Sequence, residues 1–193
     1  MRRVPWKNGR GTTDELAIGP DGASFDAGDF DWRIARAGVA EPAPFSRFDG
    51  FDRVLVVIEG AGLRLTHEGR PPLVVEPLAP HRFAGEDAPH ADLVAGPVRD
   101  LNVLTRRGRA TARVRVVRPG LDPVRLELGR GIALLHVVQG DVSASDELDA
   151  TSASLHAGES LLTHAEGAPG AWSLSSPGAA TAIVVEIAFP PAP

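Results

Sequence analysis

The sequence predicts an all-β fold of short strands, repeated twice along the chain, and three observations carry that prediction. Twenty-one Gly and seventeen Pro are scattered through 193 residues and bound short runs rich in Val, Leu and Ile. This is the punctuation of strands and tight turns, and it leaves little room for helices. The runs are many and closely spaced, which argues for a sandwich or barrel. Finally, Val54-Leu55-Val56-Val57-Ile58-Glu59-Gly60 is echoed 80 residues later by Leu134-Leu135-His136-Val137-Val138-Gln139-Gly140, and Leu73-Val74-Val75 falls opposite Ala153-Ser154-Leu155 at the same offset. Two copies of one small β-unit are the economical reading.

Taken in order, the N-terminal Trp6-Lys7-Asn8-Gly9 precedes any predicted strand. A Gly-rich polar segment there can line a barrel mouth with Lys7 and Asn8 as donors, or act as a capping turn with Trp6 buried. Strands are predicted over Trp32 to Ala37, Arg53 to Ile58, Leu63 to His67, Leu73 to Glu76, His81 to Ala84, Ala91 to Val94 and Leu101 to Thr105. The basic stretch Arg106-Arg107-Gly108-Arg109 lies between the two copies. It reads as a solvated connector, which sets the domains at 1–108 and 109–193. The second copy is predicted over Arg113 to Val117, Val124 to Leu128, Ala133 to Val138, Ser152 to Leu155, Ser160 to Thr163, Ala171 to Leu174 and Thr181 to Ala188. In each copy the long apolar strand ends at a Gly that can take the positive φ of a tight turn.

Composition narrows the function. Twenty basic residues against twenty-five acidic ones give a formal charge of -5, and Lys7 is the one lysine. No net-basic face is available to displace counterions, so nucleic acid is not an expected partner. Without cysteine there is no disulfide framework, thiolate metal site or Cys nucleophile. The N-terminus lacks the apolar core of a signal peptide, and the longest apolar runs are too short to span a bilayer, so a cytoplasmic protein without membrane association is expected.

An apolar run ending in Glu59-Gly60-Ala61-Gly62-Leu63, followed by Ala79-Pro80-His81-Arg82-Phe83, resembles the first and second motifs of the cupin superfamily. In metal cupins the first motif supplies two His and a Glu. Those places hold Ser46, Phe48 and Arg53 here, so His81 alone survives of four ligands. A guanidinium is a permanently charged donor and repels a cation. No metal or other cofactor is therefore expected. His67, His90, His136, His156 and His164 read as structural or exposed, with no spacing that sets two ligands on one face.

Candidate binding residues follow from the same strands. Arg53 opens an otherwise apolar strand. If it faces inward with Leu55 and Val57, it is either an anchor for a carboxylate or formyl oxygen or the partner of Asp49, Asp52 or Asp100. His81 reads equally as a ligand contact or as a core histidine bonded to backbone. Strand alternation points Asn102 the same way as Asp100. A mid-strand Asn is unfavourable unless its amide is used, in a pocket or on a neighbouring loop.

Several further segments occur in one chain in this order: Val4-Pro5-Trp6-Lys7-Asn8-Gly9, Gly11-Thr12-Thr13, Phe30-Asp31-Trp32-Arg33-Ile34, Pro44-Phe45-Ser46-Arg47-Phe48, Gly50-Phe51-Asp52-Arg53, Phe83-Ala84-Gly85-Glu86 and Gly96-Pro97-Val98-Arg99-Asp100-Leu101-Asn102-Val103. Together they resemble the HutD/Ves family of bicupins. The resemblance implies two small jelly-roll barrels in one bacterial chain, without a catalytic metal. It also implies a role in histidine utilisation through binding of an intermediate such as formylglutamate or urocanate. Two departures stand out. Arg10 interrupts the usual Gly run after Trp-Lys-Asn, and Ala35 replaces a Ser, removing a hydroxyl donor. The expected function is a metal-free binding protein for a small carboxylate or formyl compound, with Arg53, His81, Asn102, Asn8, Lys7, Trp6, Ser46, Phe48 and Asp100 as its site. The alternatives are a cupin-type isomerase or hydrolase with His81 as general base and Arg53 holding substrate, and a structural protein with a vestigial pocket. Bicupins of this size often pair through strand edges, which sets a homodimer as the expectation.

Overall fold

The computed structural model of the chain describes residues 2–5, 12–147, 151–165 and 170–190. Among them are eighteen strands in four sheets and a single turn of 3-10 helix, Gly85–Asp87. The chain forms two compact units, Met1–Thr111 and Ala112–Pro193.

In the first unit the strands are β1 (Arg2–Pro5), β2 (Thr12–Gly19), β3 (Trp32–Val39), β4 (Ala43–Pro44), β5 (Phe51–Glu59), β6 (Leu63–Thr66), β7 (Leu73–Val75), β8 (His81–Ala84), β9 (His90–Leu93) and β10 (Val98–Arg106). They form a six-stranded sheet ordered β1-β2-β3-β10-β5-β8 and a four-stranded sheet ordered β4-β9-β6-β7. The sequence reading missed β1, β2 and β4. Trp6 therefore follows a strand, since Arg2–Pro5 pairs antiparallel with Thr12–Glu15. Arg2, Arg3 and Pro5 weaken the apolar signal in β1, and partner pairing overrides it.

The second unit contains β11 (Thr111–Val117), β12 (Val124–Leu128), β13 (Gly131–Gln139), β14 (Asp141–Asp146), β15 (Ser152–His156), β16 (Ser160–Ala165), β17 (Gly170–Ser175) and β18 (Thr181–Ala188). Its sheets are ordered β11-β18-β13-β16 and β12-β17-β14-β15. Apart from β1 and β2, that order repeats the first unit strand for strand, with β5 matched by β13 and β10 by β18. The sequence echo is thus a repeat of topology. Gly60 (φ 96°) and Gly140 (φ 75°) close the two long strands. A Cβ at either position would meet backbone, 2.7 Å from the Pro97 oxygen or 2.5 Å from the Ala179 oxygen, so the turn admits Gly alone.

Alternation builds both cores. Leu63 and Leu65 of β6 point inward while Arg64 and Thr66 are exposed. In the first unit Val39, Leu55, Val57, Leu63, Leu65, Val75, Phe83, Ala91 and Val98 join the two sheets. In the second, Trp172 and Leu174 are enclosed by Leu126, Leu128, Ala133, Leu135, Val137, Val142, Ala144, Leu155, Ala182 and Val184. Each fully buried Leu or Val contributes about 1.5–3 kcal/mol.

Register distinguishes the two interiors. Arg53 lies opposite Phe83 and Leu104, while Asn102 lies opposite Leu55, which is itself opposite His81. At the matching register of the second unit Ala133 lies opposite Thr163, and Leu135 lies opposite Val184 and Leu161. Where the first barrel carries Arg53, Asn102 and His81, the second carries Ala133, Val184 and Leu161. The polar interior belongs to the first barrel.

Candidate functional site

Three neighbouring strands bring the central group together. β5 presents Arg53, β10 presents Asn102 and Asp100, and β8 presents His81 and Phe83. Arg53 is 6% exposed. Its Nε donates to Asn102 Oδ1 at 2.9 Å, and its Nη2 donates to the same oxygen. The Asn102 Nδ2 in turn donates to Asp100 Oδ1 at 2.5 Å. The guanidinium lies 4.2 Å from the centre of the Phe45 ring and 5.5 Å from that of Phe83, a cation–π setting that holds the charge in an apolar wall.

No carboxylate among the described residues pairs directly with Arg53. Asp49 is taken by Arg47 at 2.6 Å and Asp52 by Arg107 at 2.8 Å. Asp100 is reached through the Asn102 amide. Two of the five N–H groups of a guanidinium go to Asn102, and the other three have no partner among the described residues. Burial pulls Arg53 down to about 10, opposed by Asp100 and reinforced by the nearby charge of Arg33. It remains a cation at neutral pH. Burial pushes Asp100 up to about 6, against the pull of Arg53, the Asn102 bond and the Ala37 backbone. Asp100 is fully buried, and its Oδ2 has no hydrogen-bond partner.

His81 is half-buried, with a buried and unpartnered Nε2. Burial, and then the neighbouring His67, lower its pKa from the ordinary histidine value. It stacks on Phe83 at 5.6 Å between ring centres. It bonds to neither Arg53 nor Asn102, and no ion pair reaches it among the described residues. A carboxylate beside a histidine fixes the orientation and tautomer of its ring. In this barrel such a carboxylate stands by His67, where Asp87 Oδ2 is 3.2 Å from His67 Nδ1.

The remaining candidates separate from this group. Ser46 is exposed. Phe48 packs with Phe25, Phe30 and Phe51 in a separate aromatic cluster. Both lie in the loop after β4, and there it is Phe45, its backbone N–H bonded to the Pro89 oxygen, that reaches the guanidinium. Trp6, Lys7 and Asn8, together with Arg10, lie outside the described residues. Ala35 sits opposite Asn102, so the hydroxyl it lacks would have stood on the strand beside this amide.

Sequence reasoning missed Arg33, Glu15, Phe45 and His67. Arg33 and Glu15 form a buried pair at 2.8 Å on the inner face of β3 and β2, with Arg33 4.1 Å over the Phe25 ring. His67, read as structural or exposed, is 2% exposed and points inward. The signal was the alternation Leu63, Leu65, His67, which sets all three on one face. The connector arginines are also more than solvated charges. Arg107 binds Asp52, Glu86 and the Phe51 oxygen, and Arg106 binds the Phe30 and Gly28 oxygens.

No group of three or more His, Cys, Asp or Glu able to hold a metal occurs among the described residues, and no helix there is long and apolar enough to cross a membrane. The arrangement suits recognition of an anion: a buried, rigidly held cation with spare donors, beside two imidazole rings and aromatic walls.

Comparison with known proteins bears on this barrel. The HutD family model matches residues 1–183. An uncharacterized 21.2 kDa protein in the hutC 3′ region of Pseudomonas putida is 36% identical over 112 residues, 58% of this chain; the match spans 57% of that protein's length. Protein Ves of Citrobacter koseri is 32% identical over 152 residues, covering 77% of this chain and 75% of its own. The structure of HutD from Pseudomonas fluorescens SBW25, in a formate condition, superimposes with a TM-score of 0.79 at 29% identity, covering 97% of this chain and 94% of that one. At 9% identity and a TM-score of 0.59, a cupin 2 conserved barrel domain protein from Leptotrichia buccalis shares the fold over 96% of this chain and 92% of its own.

Proposed function

The chain belongs to the HutD family, and from that premise we propose that it is a cytoplasmic, metal-free binding protein. It recognises a small carboxylate or formyl compound in its N-terminal barrel and thereby regulates histidine utilisation. The observation that carries this reading is Arg53, a buried cation without a direct carboxylate partner among the described residues and with three N–H groups to spare. A guanidinium in that position offers two parallel bonds to a carboxylate, or one to a formyl oxygen, in a setting where charge-assisted bonds exceed their strength in water. The hutC 3′ location of the Pseudomonas putida relative and the formate condition of the Pseudomonas fluorescens HutD structure are in keeping with it. In this reading the protein binds and performs no chemistry.

Calorimetric titration of the wild type and Arg53→Met with formate, formylglutamate and urocanate tests the proposal. The variant keeps volume and removes charge. Loss of a buried charged partner costs on the order of 2–5 kcal/mol, roughly thirty-fold to several-thousand-fold in affinity. Equal affinities in the two proteins would remove Arg53, and with it this function.

A further inference from the structure

Phe83 is the hub of the first barrel. Arg53 lies over it at 5.5 Å, and the rings of His67 and His81 flank it at 5.4 and 5.6 Å, with 5.7 Å between the two histidines. His81 is two residues along β8 from the position opposite Arg53, about 7 Å at the usual strand rise. Both His67 Nε2 and His81 Nε2 are buried without a hydrogen-bond partner. A native core rarely leaves two ring nitrogens unsatisfied side by side, because each gives up water for nothing.

The two rings are not equivalent. His67 Nδ1 lies 3.2 Å from the Asp87 carboxylate, aligned too poorly for a hydrogen bond. The negative charge still favours the proton on that nitrogen, leaving a lone pair on Nε2. His67 therefore asks for a donor. His81 has no carboxylate to set its tautomer among the described residues and can offer a proton.

We propose that His67 and His81 form a second subsite of the same barrel that takes an amide or azole, His67 Nε2 accepting its N–H and His81 Nε2 donating to its adjacent acceptor. The ligand is then a short acid carrying such a group about one side-chain length from its carboxylate, and a simple monofunctional acid fills half of the site. This inference rests on the reading of Arg53 as the anchor of the carboxylate.

The test compares two matched pairs by calorimetric titration. Urocanate is set against 3-(1,3-oxazol-4-yl)acrylate, which keeps the second ring nitrogen, and N-formylglutamate against 2-formyloxyglutarate; in each analogue an oxygen replaces the N–H. Each pair is measured on wild type, His67→Leu, His67→Gln and Arg53→Met. In at least one pair the N–H compound should bind wild type about fivefold or more tightly than its oxygen analogue, which corresponds to ~1 kcal/mol. His67→Leu should bring that ratio to about one, with the oxygen analogue bound as tightly as by wild type or more so, because its oxygen no longer faces the Nε2 lone pair; a cooperative thermal melt certifies the fold. His67→Gln, whose side-chain oxygen still accepts, should restore part of it. Binding that depends on Arg53 but shows no N–H preference in either pair overturns the subsite and leaves the anchor standing. So does a preference that persists in His67→Leu. If none of the four compounds binds wild type, the anchor and the subsite fall together.

Discussion

Arg53 reaches Asp100 through a single amide. Asn102 accepts from the guanidinium on its oxygen and donates to the carboxylate from its nitrogen. The polarity of that amide keeps the two charges related but apart. A direct ion pair would spend the guanidinium on Asp100, whereas the relay orients it and leaves donors open toward the barrel. Asn is the side chain for this task because it carries an acceptor and a donor on one planar group.

Asn102→Asp places a carboxylate directly against Arg53 and beside Asp100. We expect loss of acid binding with the fold retained, since the anchor's charge is then satisfied internally. Asn102→Leu leaves both charges without their link and should destabilise by about 3–5 kcal/mol, the range for breaking a buried polar pair. Calorimetry and denaturant unfolding of both variants separate the two effects.

Asp100 gives the molecule a pH signature. Its pKa is pushed up to about 6 in the folded state from an ordinary 3.8, so the folded protein holds this proton more tightly than the unfolded chain. The associated stability is fully present below about 4 and is lost as pH rises through 6, on the order of 2–3 kcal/mol. Asp100→Asn keeps an acceptor for Asn102 and supplies a donor where Oδ2 has none. Its unfolding free energy should stay level between pH 4 and 7 where that of the wild type falls.

The opposite sign applies at Glu86. Bonds from Arg107 and the Gly50 N–H hold its carboxyl down to about 2. That contribution is present above the ordinary 4.5 and is lost as pH falls toward 2. Glu86→Gln should melt below the wild type at pH 6, and the gap should close toward pH 2.

Turn glycines provide a control on the repeat. Gly60→Ala and Gly140→Ala drive a Cβ into backbone at positive φ and should each cost about 2 kcal/mol or more. Gly69, also at positive φ (70°) but with open space around it, should cost about 1 kcal/mol as Ala. Thermal melts of the three variants rank them.

Most strands and both barrel copies were legible in the chain, because alternation of apolar and polar residues and the demand for Gly at positive φ are local properties. Val54 to Ile58 and its echo at Leu134 to Val138 read as strands before any partner was known, and each ends at a glycine that the turn requires. The short or polar strands Arg2–Pro5, Ala43–Pro44 and Asp141–Asp146 were not legible, since pairing with a neighbour defines them more than their own residues do. The same alternation that set Asn102 on Asp100's face set His67 on the face of Leu63 and Leu65 equally well, yet it carried no hint of Asp87 behind that ring.

By itself, then, the sequence determined that the chain is all-β and doubled and that Asn102 shares a strand face with Asp100, while for Arg53 it left Asp49, Asp52 and Asp100 open as partners. Only the tertiary structure decided that Arg53 meets Asn102 and not Asp49 or Asp52, that Phe45 and not Phe48 covers the guanidinium, and that His67 joins His81 around Phe83. The reason is register. Which residues face one another across β5, β8 and β10 depends on pairings between residues as far apart in sequence as Phe51 and Arg106, and a shift of one residue would turn every one of these side chains to the other face.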